Sequence, residues 1–242
     1  MYLGKTVSVI FPVYNEEENI RSAINDFFSM PFVDEVVAVD NNSTDRSAAE
    51  IQTTRARYVR ENIQGLGAAL QRGLREATGQ MLVIVEPDGT FVAGDLEKLL
   101  ARSDELDAVF GTRTSRSLIL PGANMGIGIR LGNWAVGKFI GFLFAGPSFT
   151  DAGCTFRLFN RGTYEKIRDH LHVNGSHFLV DVMIRCMQAK LRVAEVPVHY
   201  GKRIGTSKIT GTLWKAARLG FRLVFYAIGQ RLRNHPLRPR KS

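Results

Sequence analysis

Two cysteines in 242 residues, Cys154 and Cys186, are too few for a disulfide framework, so reduced, buried thiols are expected. The amino terminus lacks a charged-then-apolar leader, and no secretion signal is expected. No internal repeat or low-complexity tract is present. The apolar region from Ala123 to Phe144 reaches the length that just spans a bilayer, about 20 residues. Arg130, Asn133, Lys138 and several glycines interrupt it, so a span is not expected. Around His170, His172 and His177 no Cys or acid completes a recognisable ligand set, which leaves them as structural or surface residues. Gly132 to Lys138 nearly spells a phosphate loop, but Phe139 stands where Ser or Thr is needed and no strand precedes it. The most informative lack is of acid. From Lys202 to Ser242 there are eleven Lys or Arg and no Asp or Glu, while the preceding 201 residues hold 21 basic and 23 acidic side chains. The net charge of +9 therefore belongs to the tail. That argues against a generally basic nucleic-acid-binding domain and for a local electrostatic patch.

What is present alternates. Apolar or β-rich runs over 6–13, 35–39, 56–60, 81–85 and 107–111 are separated by helix-like stretches over 16–29, 44–53, 65–77 and 94–101, with a further strand over 191–198. This pattern predicts a mostly parallel α/β sheet with helices on both faces, to which residues 112–150 and 202–242 are appendages. Three strands end in polar residues: Tyr14-Asn15-Glu16 after the first, Asp40-Asn41-Asn42 after the second, and Glu86-Pro87-Asp88 after Met81–Val85. In open α/β sheets ligands bind outside the carboxyl ends of the strands. Asp88 and Glu86, one residue apart, are placed to hold a divalent ion against a diphosphate. Asp40 is suited to ribose or base. Asn15 and Glu16 open a helix, where acid also favours the dipole.

These segments carry a resemblance. Phe-Pro-Val-Tyr-Asn-Glu-Glu (11–17), Val-Asp-Asn-Asn-Ser-Thr-Asp (39–45), Gln-Gly-Leu-Gly-Ala-Ala-Leu (64–70) and Glu-Pro-Asp-Gly-Thr (86–90) occur in the order of the family-two inverting glycosyltransferases of GT-A fold. Thr-Asp-Ala-Gly-Cys-Thr-Phe-Arg-Leu-Phe (150–159) and Val-Pro-Val-His-Tyr-Gly-Lys-Arg-Ile-Gly-Thr-Ser-Lys (196–208) resemble the dolichol-phosphate mannose synthase branch. The resemblance implies a GT-A (Rossmann-like) catalytic domain over 1–210, with 112–150 as an acceptor-side apolar insertion, and a basic amphipathic helix and tail over 211–242. It implies a nucleoside diphosphate-sugar donor, GDP-mannose or a UDP-sugar, lined by Pro12, Tyr14, Asn15, Glu16, Asp40, Asn42, Gln64, Gly67 and Pro87. Mg²⁺ or Mn²⁺ would sit at Asp88 and Glu86. Glu86 stands where the family usually has Asp, so its longer arm can also act through water. The implied acceptor is a polyprenyl phosphate, held by Arg113, Arg130, Arg203, Ser207 and Lys208, because Arg suits phosphate through its planar fork.

The acceptor decides whether a base is needed. A phosphate monoester is already anionic, whereas a hydroxyl requires a general base. Asp151 matches the position where related transferases often carry one; its alternative role is to orient the acceptor-site loop. Asp181 is a weaker candidate on a predicted helix. Trp214, Phe221, Phe225, Ile228 and Leu232 recur at 7, 4, 3 and 4, near one helical face, with Lys215, Arg218 and Arg222 on another. This pattern suits a helix lying in an anionic membrane interface, and equally a helix packed on the core with solvated basic residues. The expected protein is a peripheral enzyme on the cytoplasmic face of a membrane, with no nucleic-acid partner.

Overall fold

Alternation of side chains along the first strand already sorts the molecule into two layers. In β1 (Val7–Val13), Val7, Val9, Phe11 and Val13 join one buried cluster while Ile10 joins the other. In β2 (Glu35–Asp40), Val36 and Ala38 face the first cluster and Val37 and Val39 the second. A strand buried on both faces needs helices on both, and the computed structural model, which describes residues 1–204 and 213–233 (side chains of 213–217 excepted), has them. Helices α1 (Ile20–Phe28), α2 (Ser47–Gln52) and α4 (Leu96–Leu100) bury Ile20, Ile24, Phe27, Ile51, Leu96 and Leu99 on one side. Helices α3 (Leu66–Glu76), α5 (Ile127–Leu143), α6 (Arg161–Ile167), α7 (Phe178–Gln188) and α8 (Leu213–Leu232) cover the other.

The remaining strands are β3 (Arg57–Arg60), β4 (Met81–Ile84), β5 (Ala108–Thr112), β6 (Arg157–Asn160) and β7 (Val193–Pro197), in the spatial order β3-β2-β1-β4-β6-β5-β7. The expected mostly parallel α/β sheet is what forms. The alternation pattern did not contain β6, which runs antiparallel to both β4 and β5. Its apolar signature is broken by Arg157, the largest fully buried side chain. Three backbone carbonyls accept from that guanidinium, those of Cys154 at 2.9 Å, Leu179 at 2.6 Å and Ala152 at 3.2 Å, and it lies 4.4 Å from the Phe110 ring centroid. A buried charge so satisfied ties β6 to the loop before it and to α7.

Helix α1 also begins later than predicted, because residues 16–19 form a turn in which Glu16 C=O accepts from Asn19 N–H at 3.0 Å. In α5, a Cβ on Gly137 or Gly141 would meet the carbonyl oxygen of Phe149 or Pro147 at 2.8 and 2.5 Å, so glycine permits the helix to lie against the returning chain. Helix α8 packs along α5 and α7, burying Leu223 and Ala227. No described helix is long and apolar enough to cross a membrane.

Candidate active site

β4 delivers its acids to the centre of the carboxyl edge, between the ends of β1 and β6. Asp88 is fully buried. Its Oδ1 accepts from Thr90 N–H at 3.1 Å and from the Thr90 hydroxyl at 2.5 Å, while Oδ2 has no hydrogen-bond partner. Glu86 accepts from the Thr155 hydroxyl at 2.9 Å, and a quarter of its side chain still faces the cleft. Burial and the neighbouring Asp88 charge raise the Glu86 carboxyl to about 7, against the pull of Arg203. The Arg203 guanidinium stands among three acids, 3.0 Å from Asp88 Oδ2, 3.3 Å from Glu16 Oε1 and 3.8 Å from Glu86 Oε2. The Asp88 contact is an ion pair without hydrogen-bond geometry, which is why Oδ2 remains orphaned.

Hard oxygen donors, one of them orphaned and buried, fit Mg²⁺ or Mn²⁺. Among the described residues there is no group of three or more metal-ligating side chains. Glu86 and Asp88 could hold such an ion and would leave its remaining positions to water and to ligand phosphates, as is usual for Mg²⁺.

The loops after β1 and β2 are knitted together. Asn15 (φ +54°) accepts from Thr44 N–H at 2.8 Å, and its own N–H donates to the Ser43 hydroxyl at 3.0 Å. Asp40 is buried; it accepts from Ser43 N–H at 3.0 Å and from the Tyr58 hydroxyl at 3.3 Å. Asn42 (φ +63°) donates to the Asn62 carbonyl at 3.0 Å, and to Gln64 at 3.3 Å. Asn41, absent from the sequence-derived set, ties the same region by accepting from Gly65 N–H at 2.7 Å and donating to the Ile63 carbonyl at 2.8 Å. Gly67 is not placed as expected. A Cβ there would meet Val173 O at 2.1 Å and Phe178 Cβ at 2.8 Å, so its role in the structure is close packing of α3 against the chain before α7.

The residues expected on the acceptor side divide sharply. Asp151 is buried and saturated: it accepts from Arg113 N–H at 3.0 Å, Arg113 Nε at 2.8 Å, Arg113 Nη2 at 2.9 Å and Gly153 N–H at 3.1 Å. Burial works to raise its carboxyl, but the Arg113 guanidinium outweighs it and holds the group below the usual carboxylate range. Glu195, on β7, braces this pair. It accepts from Thr150 N–H and hydroxyl, both at 2.7 Å, and from Asp151 N–H at 2.9 Å. Arg113 lies 5.0 Å from the Tyr200 ring centroid. Arg130 donates to the Thr114 carbonyl at 3.2 Å and leaves Nε unpartnered. The weaker base candidate Asp181 is elsewhere: it accepts from Arg185 at 2.9 Å and from the Tyr226 hydroxyl at 2.8 Å, docking α8 onto α7. Ser207 and Lys208 lie outside the described residues.

One cleft of about 850 Å³ joins the two halves. Pro12, Tyr14, Glu16, Asn41, Glu86, Pro87, Arg113 and Arg203 line its polar end. Beyond them Met125, Ile129, Val136, Leu179, Leu219, Leu223 and Val224 form an apolar groove between α5 and α8. Asn15, Asp40, Asn42, Gln64, Gly67, Asp88, Arg130 and Asp151 do not line it; Asp88 and Asp151 are buried behind Arg203 and Arg113, and Asn15, Asp40, Asn42 and Gln64 shape the loops behind its polar end. Thr90, Thr155 and Glu195 were missed by sequence reading, since a lone hydroxyl or a single acid within a strand carries no spacing signal.

The profile of Glycosyl transferase family 2 matches residues 8–168. The chain belongs to this family. An uncharacterized glycosyltransferase of Mycobacterium bovis is 31% identical over 212 residues, covering 87% of this chain and 92% of the relative. A dolichyl-phosphate beta-glucosyltransferase of Drosophila melanogaster is 26% identical over 250 residues, covering 88% and 72%. Glucosyl-3-phosphoglycerate synthase of Mycobacterium tuberculosis, solved with Mn²⁺, UDP-glucose and phosphoglyceric acid, superposes with a TM-score of 0.71 at 19% identity, covering 94% of this chain and 80% of that one. The family match makes this chain a glycosyltransferase, and the superposition shows a shared fold.

Proposed function

We propose that this glycosyltransferase moves a hexose from a nucleoside diphosphate-sugar to a polyprenyl phosphate at a membrane surface, with inversion and with a divalent metal. The observation that carries the acceptor is the saturation of Asp151. Among the described residues every hydrogen bond to that carboxylate is donated by Arg113 or Gly153, so it is spent on orienting a cation rather than taking a proton. A phosphate monoester, whose second pKa is about 6, needs no base at neutral pH. It needs a cation, and Asp151 aims Arg113 along the cleft.

Support comes from three further sides. The apolar groove between α5 and α8 opens from that arginine and suits a lipid chain. Phe221 and Phe225 on α8 and Leu131 and Phe142 on α5 are exposed, which suits a membrane interface, and the sequence from Lys202 onward is basic without acid, which suits an anionic one. The insect relative is named for a dolichyl-phosphate acceptor, and the superposed synthase was solved with Mn²⁺ and UDP-glucose.

The chemistry follows. A phosphate oxygen of the acceptor attacks the anomeric carbon from the face opposite the diphosphate, and negative charge grows on the leaving group. A divalent ion held by Asp88 and Glu86 would neutralise that charge. Arg113 holds the attacking phosphate, and the strand-end loops hold the nucleotide. The test is to offer labelled sugar nucleotides with a short-chain polyprenyl phosphate or with the corresponding polyprenol. Transfer to the phosphate alone is expected; transfer to the alcohol alone would overturn the reading and return Asp151 to the role of base.

A further inference from the structure

Arg203 was expected on the acceptor phosphate, yet its guanidinium occupies the space between the metal-site carboxylates. The placement is anchored from several directions. Gly201 N–H donates to the Thr90 carbonyl at 2.7 Å, Ile204 N–H to the Asp88 carbonyl at 3.1 Å, and Asn19 Nδ2 to the Ile204 carbonyl at 3.2 Å. The backbone on both sides of Arg203 is thus pinned to the turn that carries Asp88. From there its head reaches Glu16, Glu86 and Asp88 at 3.3, 3.8 and 3.0 Å. The geometry is that of a placeholder: Asp88 Oδ2 and Arg203 Nε are both buried without hydrogen-bond partners.

We infer that Arg203 is the resident cation of the donor-free site and competes with free divalent metal for the same oxygens, so that the ion enters together with the donor's diphosphate. The inference rests on the metal reading above. A lone ion must displace the guanidinium from Asp88 and Glu86 and leave it Glu16 alone of its three acids, and a partly buried charge that loses partners is costly. A diphosphate arriving with the ion supplies the guanidinium with a new anionic partner in the same cleft, and the loss is offset. The displaced arginine is then free to hold a phosphate, the part its sequence position suggested. Order of binding thus follows from one side chain.

The test measures Mn²⁺ directly, by loss of the free-ion paramagnetic resonance signal, on the full chain with MnCl₂ alone and with UDP or GDP added. Arg203→Ala should bind Mn²⁺ alone at least about tenfold more tightly than the unmodified protein, because a close charge no longer competes for the same oxygens. Adding Asp88→Asn to that variant should abolish the gain, which assigns it to this site. Arg203→Lys keeps a cation and should stay near the unmodified protein, separating competition from a general loosening of the loop. Equal affinity of Arg203→Ala and the unmodified protein for Mn²⁺ alone, with tight binding in the presence of nucleotide, would overturn the inference and leave the metal reading standing. No binding by either protein, with or without nucleotide, would remove both.

Discussion

The two ends of the cleft are built by different means. At the donor end, three parallel strands finish side by side, and their loops are cross-bonded through Asn15, Asp40, Asn41 and Asn42. These side chains tie the loops to one another and order that edge, leaving the orphaned Asp88 Oδ2 at its centre. At the acceptor end, two helices with exposed Phe142, Phe221 and Phe225 lie along each other over a groove whose walls are aliphatic. Hydrogen bonding makes the first end selective; apolar area makes the second adaptable. Arg113 and Arg203 stand between them, and each is held by acids in loops at the edge of the sheet.

The sharpest way to break the comparison is at the donor end. Asp88→Asn should lower turnover at least about a hundredfold, the scale of losing a group that stabilises transition-state charge. The fold should survive, because the amide oxygen can still accept from Thr90. Circular dichroism and turnover together check this, and excess chelator should inactivate the unmodified protein to a similar degree.

Next in size is Arg113→Ala. Acceptor KM should rise about ten- to hundredfold, from loss of a charged contact, with donor affinity nearly unchanged. The same change strands Asp151 as an unpaired buried charge, which costs about 3–5 kcal/mol. The double variant Arg113→Ala, Asp151→Asn should therefore be more stable to urea than Arg113→Ala alone. Glu195→Gln should do less: a few-fold rise in acceptor KM at constant donor affinity, since an amide nitrogen cannot accept from Thr150 or Asp151. A change in donor affinity instead would move Glu195 out of the acceptor half. The smallest catalytic effect belongs to Phe142→Ser with Phe225→Ser, two exposed side chains outside the cleft. Binding to anionic vesicles should weaken, while turnover with a soluble short-chain acceptor stays as it was.

The same contrast explains what could be read beforehand. Strand-end acids and loop asparagines are local signals, so the sheet, its polar edge and the Glu86/Asp88 pair were legible. β6 was not, because Arg157 interrupts its apolar run and its charge is satisfied by carbonyls of the preceding loop and of α7, which only the fold brings around it. The double role open to Asp151 could be narrowed only by the fold, which places Arg113 and Gly153 around it. Gly67 showed how a motif glycine can serve packing: its neighbours Val173 and Phe178 lie a hundred residues away. Helix α8 was half legible. Its aromatic stripe is the outward face at Phe221 and Phe225, and the core-facing residues are Leu223 and Ala227; the side chain of Trp214 lies outside the described set.

The central claim is that the acceptor brings its own nucleophilic charge and that Asp151 acts through Arg113. The measurement that bears on it most directly is kcat of Asp151→Asn at saturating short-chain polyprenyl phosphate, with acceptor KM and donor affinity determined on the same preparation. The account predicts a raised acceptor KM and a kcat within about tenfold of the unmodified protein, since general-base catalysis, worth about 10²–10⁴, is not being removed. A fall of kcat by a hundredfold or more at unchanged acceptor KM would contradict it.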